Sequence, residues 1–357
     1  MIDTIRVFYK FPDIVSYNDC YTVIDFLSRK ISRKHCLHKG KKEGVYITTA
    51  FASMGLLEVR FFKQRKIRAN IVQLTLKPSK FACADSYLRL SSRDKDYELF
   101  REIFNQIIGN INDISGKYLL PELEYWRVNR IDYAFDIETP YVREYINLFK
   151  RGFLPKGFRH YKNYETSIYL TSKKCRINFY DKMSELKSKY ELTDDDIKLE
   201  LGYLPKGILR LEVQCENKKI QQIKGKYNLP TNSVDYLWDE KIAYNIIAHY
   251  IKAIIGKENC YSLEETLQKI RDEYDDSRIF RNAYNLVFTL VKHPIATLNV
   301  MKELCQKKNI LSKKEFNQLI FQIRRARVNP IILESICMDT NHLRSLRNPY
   351  QCLCAYF

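Results

Sequence analysis

The stretch SIYLTSKKCRINFYDK, at residues 167–182, contains two short runs of alternating apolar and polar residues with a turn between them. This alternation predicts a β-hairpin with strands over Ser167–Leu170 and Arg176–Tyr180. The polar Asp181 that follows can cap a short helix beginning at Lys182. The stretch therefore predicts a strand–turn–strand–helix unit in which Tyr180 stands at the end of a strand.

Two further strands offer acidic side chains from a polar face. They read RIDYAFDI (Arg130–Ile137) and ILRLEVQC (Ile208–Cys215). Because side chains alternate along a strand, each has one apolar and one polar face. The polar faces carry Arg130, Asp132 and Asp136 on the first strand and Arg210, Glu212 and Gln214 on the second. Carboxylates so placed suit Mg²⁺ or Mn²⁺. The alternative is a solvated face with Arg130–Asp132 and Arg210–Glu212 ion pairs.

The hydrophobic pattern of the rest of the chain changes near residue 222, from mostly strand-like to mostly helical. Before it, alternating runs predict strands, and two amphipathic stretches predict helices. The predicted strands are Thr4–Tyr9, Val45–Phe51, Leu57–Lys63 and Ile71–Leu76, and the helices are Asp94–Ile108 and Tyr141–Arg151. A turn-rich linker at 228–235 follows, and then nearly everything has helical spacing. We therefore predict an α+β fold: an antiparallel sheet with flanking helices at 1–227, then a helical domain at 228–357.

Two helices predicted between Thr297 and Ala326 are separated by a short turn, and the second ends in several arginines. This spacing is compatible with a DNA-binding helix-turn-helix and also with a plain helical bundle. The sequence leaves the two interpretations open.

The composition indicates a globular protein with a polyanionic partner. The 357 residues include 60 Lys and Arg against 42 Asp and Glu, a formal net charge of +18, and 45% are hydrophobic. That content excludes disorder as the main state, and the charge favours nucleic acid. No apolar run approaches the roughly twenty residues of a membrane span. With ten scattered cysteines and no signal peptide, we expect reduced thiols, a cytoplasmic location and no membrane partner.

Taken in order, RIDYAFDI, SIYL, RINFYDK and LRLEVQC resemble the rolling-circle replication initiators, in particular the gene II/X family of filamentous phages and related plasmid initiators. The resemblance covers residues 126–215 and hardly extends into the helical part. It implies a ferredoxin-like nicking core of the HUH type. The His-hydrophobe-His metal motif of many initiators does not occur here, which fits an all-carboxylate site but leaves the ligand set open.

The resemblance also implies roles for individual residues. Tyr180 would attack the origin strand, become linked to the 5′ phosphate and leave a 3′-OH primer, while Lys182 would contact phosphate. The metal, Mg²⁺ or Mn²⁺, would be held by Asp132 and Glu212, with Asp136 as a less certain ligand. A second nucleophilic tyrosine cannot be chosen, although Tyr169 and Tyr190 are candidates.

Basic and amide side chains supply the expected DNA-binding surface. The candidates are Arg65, Lys66, Arg130, Lys173, Lys174, Arg176, Arg210 and Gln214. The expected partners are a replication origin in single-stranded or supercoiled DNA and, because no phosphate-binding glycine loop for ATP is present, a host helicase with a polymerase. A homodimer stays open. Three other functions compete: a non-catalytic DNA-binding regulator, a metal-dependent nuclease that uses water, and an RNA-binding module.

Overall fold

The structure is a computed structural model. It describes residues 1–31, 36–64, 69–82, 90–91, 94–275, 277–293, 296–332 and 342–346.

The strands of the first half include all those expected from alternation. They are β1 Ile2–Lys10, β2 His38–Lys39, β3 Val45–Thr48, β4 Leu56–Gln64, β5 Ala69–Leu76 and β6 Arg127–Glu138. The later strands are β7 Arg159–Tyr164, β8 Ser167–Thr171, β9 Cys175–Asp181, β10 Ile208–Glu216, β11 Cys260–Tyr261 and β12 His342–Leu343. The predicted hairpin strands correspond to β8 and β9.

The helices become denser towards the end of the chain. Those before residue 230 are α1 Ile14–Ile31, α2 Ser79–Ala82, α3 Asp94–Ser115, α4 Val142–Arg151, α5 Lys182–Tyr190, α6 Asp194–Leu201 and α7 Asn217–Lys226. Those after it are α8 Val234–Leu237, α9 Glu240–Ile255, α10 Leu263–Tyr274, α11 Arg278–Val291, α12 Leu298–Lys307 and α13 Lys313–Arg325. The helical spacing predicted after the linker begins with two separate helices, α8 and α9.

Within the described residues, ten strands form one sheet in the order β2-β3-β4-β5-β1-β6-β10-β9-β8-β7. The pairs β1 with β5, β1 with β6, β2 with β3, β3 with β4, β4 with β5 and β7 with β8 are antiparallel. This sheet and its helices confirm the α+β class. The ferredoxin-like core of the HUH type stays a prediction.

The chain divides into two compact units. Unit 1 comprises Met1–Ala134, Lys173–Arg176 and Glu212–Tyr244, and unit 2 comprises Phe135–Ser172, Ile177–Leu211 and Asn245–Phe357. This division does not coincide with the single boundary after residue 227 suggested by the sequence, because β6, β9 and β10 each contribute residues to both units.

In unit 1, α1 packs on one face of the strands. The ring of Phe61 in β4 lies 5.6 Å from that of Tyr17 and 5.5 Å from that of Tyr21, centroid to centroid. The sequence analysis missed this helix, because its apolar residues do not form one stripe: Val15 and Phe26 are exposed. Its buried face consists of Cys20, Ile24 and the polar Ser28, which lie four residues apart on one side of the helix.

Unit 2 holds β8, residues 177–181 of β9 and most of the late helices. Phe149 of α4 packs on Phe179 of β9 with ring centroids 4.7 Å apart, which anchors the apolar face of β9. Gly152 at the end of α4 lies against α9, where an added Cβ would be 2.5 Å from the carbonyl oxygen of Ile254. The two helices expected between 297 and 326 are confirmed as α12 and α13, and Ser312 and Glu315 form the predicted capping box.

Candidate active site

Tyr180 lies near the end of β9, on the face opposite the buried Ile177 and Phe179. Its side chain is largely buried but lines a cavity of about 400 Å³. The other lining groups are mostly polar, and they include Tyr169, Asn178, Ser184, Glu185 and Ser188. The alternation of β9 therefore places the phenol in a polar cavity within unit 2, while Ile177 and Phe179 are buried on the opposite face of the strand.

The junction between β9 and α5 is fixed by Asp181. Its carboxylate accepts hydrogen bonds from the backbone nitrogen of Ser184 at 3.1 Å and from the Ser184 hydroxyl at 2.7 Å. This is the helix cap that the sequence predicted. Because the capped helix begins immediately after Tyr180, the orientation of the strand end is coupled to the start of α5.

Lys182 is buried rather than presented to solvent. Its Nζ lies 2.7 Å from Oε2 of Glu185. Burial alone would raise the pKa of Glu185, but the ion pair with Lys182, with help from Lys189, holds that pKa below its usual value. Glu185 is therefore an anion at neutral pH. The predicted contact of Lys182 with phosphate would require the lysine to exchange Glu185 for the phosphate.

Asp136 and Arg210 form a two-pronged ion pair in unit 2. Nε and Nη2 of Arg210 each lie 2.6 Å from one carboxylate oxygen of Asp136. The Arg210 residue is 0% exposed, so in this structure it offers no atom to DNA. The placement favours a structural role for Arg210 over the predicted DNA contact.

In unit 1, Arg130 forms the predicted ion pair with Asp132. Its Nε lies 2.8 Å from Oδ1, and its Nη2 lies 2.5 Å from Oδ2. Glu212 accepts a hydrogen bond of 2.8 Å from the amide of Gln214 on the same strand. The ion pair of the alternative interpretation is thus present for Arg130, although Asp132 is buried rather than solvated, and Gln214 is engaged with a protein partner.

Burial disfavours the charged form of both side chains, so it lowers the pKa of Arg130 and raises that of Asp132. For Arg130, Asp132 and Glu212 outweigh burial and the pKa rises. For Asp132, which is 1% exposed, burial outweighs the attraction of Arg130 and raises the pKa to about 6. The carboxylate is therefore still ionised at neutral pH, held by the guanidinium.

These contacts bear on the predicted metal ligands, Asp132, Glu212 and Asp136. Each accepts at least one hydrogen bond from an arginine or amide nitrogen. Among the described residues, no group of three or more His, Cys, Asp and Glu side chains is arranged to hold a metal ion. As placed, these side chains do not fit a bound divalent cation.

The free energy of unfolding of the Asp132→Asn variant, taken relative to that of wild type, should increase as the pH rises from about 4 to 7. Because the folded-state pKa lies above the ordinary 3.8, this carboxyl favours folding below about pH 4 and loses that effect as the pH rises through about 6. Asparagine has no such loss, so the relative gain should be on the order of 2 kcal/mol. Urea unfolding at both pH values measures it, and a difference independent of pH would contradict the raised pKa.

Three predicted DNA contacts are exposed in unit 1. Lys173 and Lys174 occupy the turn between β8 and β9, and Arg176 follows in β9, with its Nε 4.0 Å from Oε1 of Glu216. They stay candidates for contact with phosphate. Arg65 and Lys66 lie outside the described residues.

The sequence analysis did not single out several groups of the Tyr180 cavity. Ser184, Glu185 and Ser188 come from one face of α5, and Asn178 lies two residues before Tyr180. The helical spacing of Ser184 and Ser188 was a usable signal, since residues four apart share a helix face. The enclosure by Tyr169 depends on strand pairing and could not be read from spacing.

No protein-family model and no curated protein matches this sequence. Among solved structures, a rolling circle replication initiator protein from Geobacillus stearothermophilus is similar, with a TM-score of 0.33 and 12% sequence identity over 72% of this chain and 86% of that chain. A similarity this distant carries no conclusion about function, and the gene II/X family stays a prediction. No helix in the described ranges is long and apolar enough to cross a membrane.

Proposed function

We propose that this chain is a replication initiator that nicks one strand of DNA at an origin, with Tyr180 as the nucleophile. The observation that carries the proposal is the position of Tyr180, on the polar face of a strand end and lining a cavity of about 400 Å³. Two further observations support it: the four sequence blocks shared with rolling-circle initiators, and a formal net charge of +18, which favours a polyanionic substrate.

The proposed reaction is a transesterification. The phenol oxygen of Tyr180 attacks the phosphorus of a phosphodiester, the bond from phosphorus to the 3′ oxygen breaks, and the 5′ phosphate becomes linked to the tyrosine. One proton leaves the phenol and one is taken up by the departing 3′ oxygen, so no other reactant is consumed. The covalent link conserves the phosphoester bond, and the 3′-OH can prime synthesis.

Charge around the cavity constrains how DNA would be bound there. The lining includes the carboxylates of Asp181 and Glu185 and no lysine or arginine from the described residues. Lys182 is the nearest cation in sequence, and it pairs with Glu185. Binding of phosphate in the cavity therefore depends on release of Lys182 from Glu185.

Three further elements complete the proposal. Strand separation would be supplied by a host helicase and synthesis by a host polymerase, because the sequence has no phosphate-binding loop for ATP. A homodimer and a cytoplasmic location stay predictions. The helices α12 and α13 could read the origin or only stabilise unit 2.

The direct test is to incubate the full chain with end-labelled single-stranded DNA and with supercoiled DNA, adding Mg²⁺ or Mn²⁺. Denaturing gels would detect a protein–DNA adduct, and mass spectrometry of the digested adduct would identify the modified peptide. A nucleotide on the peptide that contains Tyr180 is the expected result. Cleavage without an adduct would favour a nuclease that uses water, and binding without cleavage of an origin-bearing template would favour a regulator.

A chelator arm separates metal dependence from the identity of the nucleophile. Because Asp132, Asp136 and Glu212 are engaged by nitrogen donors, we expect EDTA to leave folding unchanged. The melting temperature should stay within about 2 °C of that of the untreated protein, since a loss of 1 kcal/mol would shift Tm by a few degrees. If EDTA abolishes the adduct, nicking requires a divalent cation as the sequence predicted, and these side chains must rearrange to bind it. A large drop in melting temperature would contradict the absence of a bound structural cation.

A further inference from the structure

The strands of unit 1 present two faces of different chemistry. On one face, Ile5, Val7 and Phe61 are completely buried, and Phe61 contacts helix α1. On the opposite face, β1, β4 and β6 carry arginines that are only partly buried. Arginine at regular positions on a sheet face needs an explanation, because guanidinium groups placed side by side repel one another.

The strand register brings these arginines into adjacent rows. One row runs Glu58, Thr75, Arg6, Arg130 across β4, β5, β1 and β6. The next row runs Arg60, Gln73, Phe8, Arg127 across the same strands. Directly opposed residues on a sheet have Cβ atoms about 5 Å apart. We call Arg6, Arg60, Arg127 and Arg130, with Phe8 between them, the arginine face.

Acidic neighbours form ion pairs with only some of these arginines. Arg60 lies 2.8 Å from Glu58, and Arg130 is paired with Asp132. Arg6 makes no ion pair and no side-chain hydrogen bond with any described residue, and its Nε is buried without a partner, as is Nε of Arg60. A buried donor without a partner costs free energy, so negative charge placed near these guanidinium groups is favourable.

The electrostatic setting of Arg6 agrees with this. Burial lowers its pKa first, and repulsion from Arg130 and Arg60 adds to that effect, while Glu216 and Asp132 act in the opposite direction. The guanidinium therefore lies in a site where added negative charge is stabilising. A phosphate has the oxygen acceptors that match a guanidinium fork.

We propose that the arginine face binds single-stranded DNA, with Arg6 and Arg60 on phosphates and Phe8 against a base. The choice of DNA as the polyanion rests on the proposed function. The choice of a single strand rests on Phe8 and on Phe62, two positions from Arg60 along β4, which are half-buried rings on the same face. Aromatic rings interleaved with cations suit unpaired bases, whose ring faces are exposed in a single strand and stacked away in a duplex.

The test is fluorescence anisotropy with the full chain, a labelled oligo(dT) and a duplex of equal length. The variant is Arg6→Gln with Arg60→Gln. The control is Lys117→Gln with Arg143→Gln, which removes the same charge from exposed ion pairs elsewhere. We expect the first variant to bind oligo(dT) at least about tenfold more weakly, as loss of two charge-assisted contacts predicts, and the control to change affinity less than about twofold. The salt slope of binding should also fall by about 1.4, the loss of two phosphate contacts to a single strand.

Equal losses in variant and control would overturn the inference, and so would preferential binding of the duplex. If the glutamine variant does not fold by circular dichroism, Arg6→Lys with Arg60→Lys replaces it, because lysine keeps the charge but loses the planar donor fork. That variant should bind more weakly than wild type, and unchanged binding would overturn the inference. The adduct assay tests the proposed nicking separately. If the adduct forms but the arginine variants bind oligo(dT) as well as wild type, only the inference about the arginine face is contradicted. If the arginine variants bind more weakly but no adduct forms, only the proposed nicking is contradicted.

Discussion

Replacing Tyr180 by phenylalanine should abolish the covalent protein–DNA adduct while leaving the fold and DNA affinity unchanged. Phenylalanine has the same ring but no oxygen to form the bond to phosphorus, so the adduct should fall below detection rather than decrease by degrees. The side chain lines the cavity with its polar end on the polar face of β9, whose apolar face is packed by Phe179 on Phe149. Denaturing gels with end-labelled single-stranded DNA measure the effect.

Tyr169→Phe is the matched control for this experiment, because Tyr169 lines the same cavity and loses the same atom. We expect the control to retain the adduct. An adduct that survives in Tyr180→Phe and disappears in Tyr169→Phe would move the nucleophile to β8. An adduct that survives in both single variants would contradict the assignment of either tyrosine as the sole nucleophile.

Replacing Asp136 by alanine should destabilise the protein by about 3 kcal/mol, because it removes two charge-assisted hydrogen bonds from the buried guanidinium of Arg210. The figure is at the lower end for a buried pair, since the Asp136 side chain is 27% exposed. Combining Asp136→Ala with Arg210→Met should recover most of the loss, because the buried charge that has lost these bonds is removed as well. Urea unfolding with an unchanged m-value measures each free energy.

The control is Glu165→Ala, which removes a carboxylate from the exposed pair with Arg143 and should cost less than about 1 kcal/mol. If Asp136→Ala costs no more than this control, the Asp136–Arg210 pair does not stabilise the fold. If in addition Asp136→Ala abolishes metal-dependent cleavage, the predicted role of Asp136 as a metal ligand would be supported instead.

The sequence predicted the local structure of this chain well wherever the pattern was strong. Alternation identified β8 and β9, and the aspartate at their end identified the start of α5. The helix α1 was missed, because Val15 and Phe26 interrupt its apolar stripe and only tertiary contacts show which face is buried. Strand boundaries and helix caps are local properties, so a short window of sequence contains the information they need.

The candidate site was predictable in part. Alternation placed Tyr180 on the polar face of β9. The sequence analysis did not single out Arg6 and Phe8, which share one face of β1. It did not show that Arg6 and Arg60 share one surface, because that depends on β5 lying between β1 and β4. The arrangement of strands, not the sequence of any one of them, concentrates the charge.

The sequence by itself determined the alternation of β6 and β10, and with it the side of each strand on which Asp136 and Arg210 lie. Only the tertiary structure decided that Arg210 pairs with Asp136 on the neighbouring strand. The physical reason is the range of the information: residues two apart on a strand share a face and can meet through local spacing alone, as Arg130 and Asp132 do. Neighbours on adjacent strands, whose Cβ atoms lie about 5 Å apart, meet only through strand order and register, which involve residues far apart in the chain.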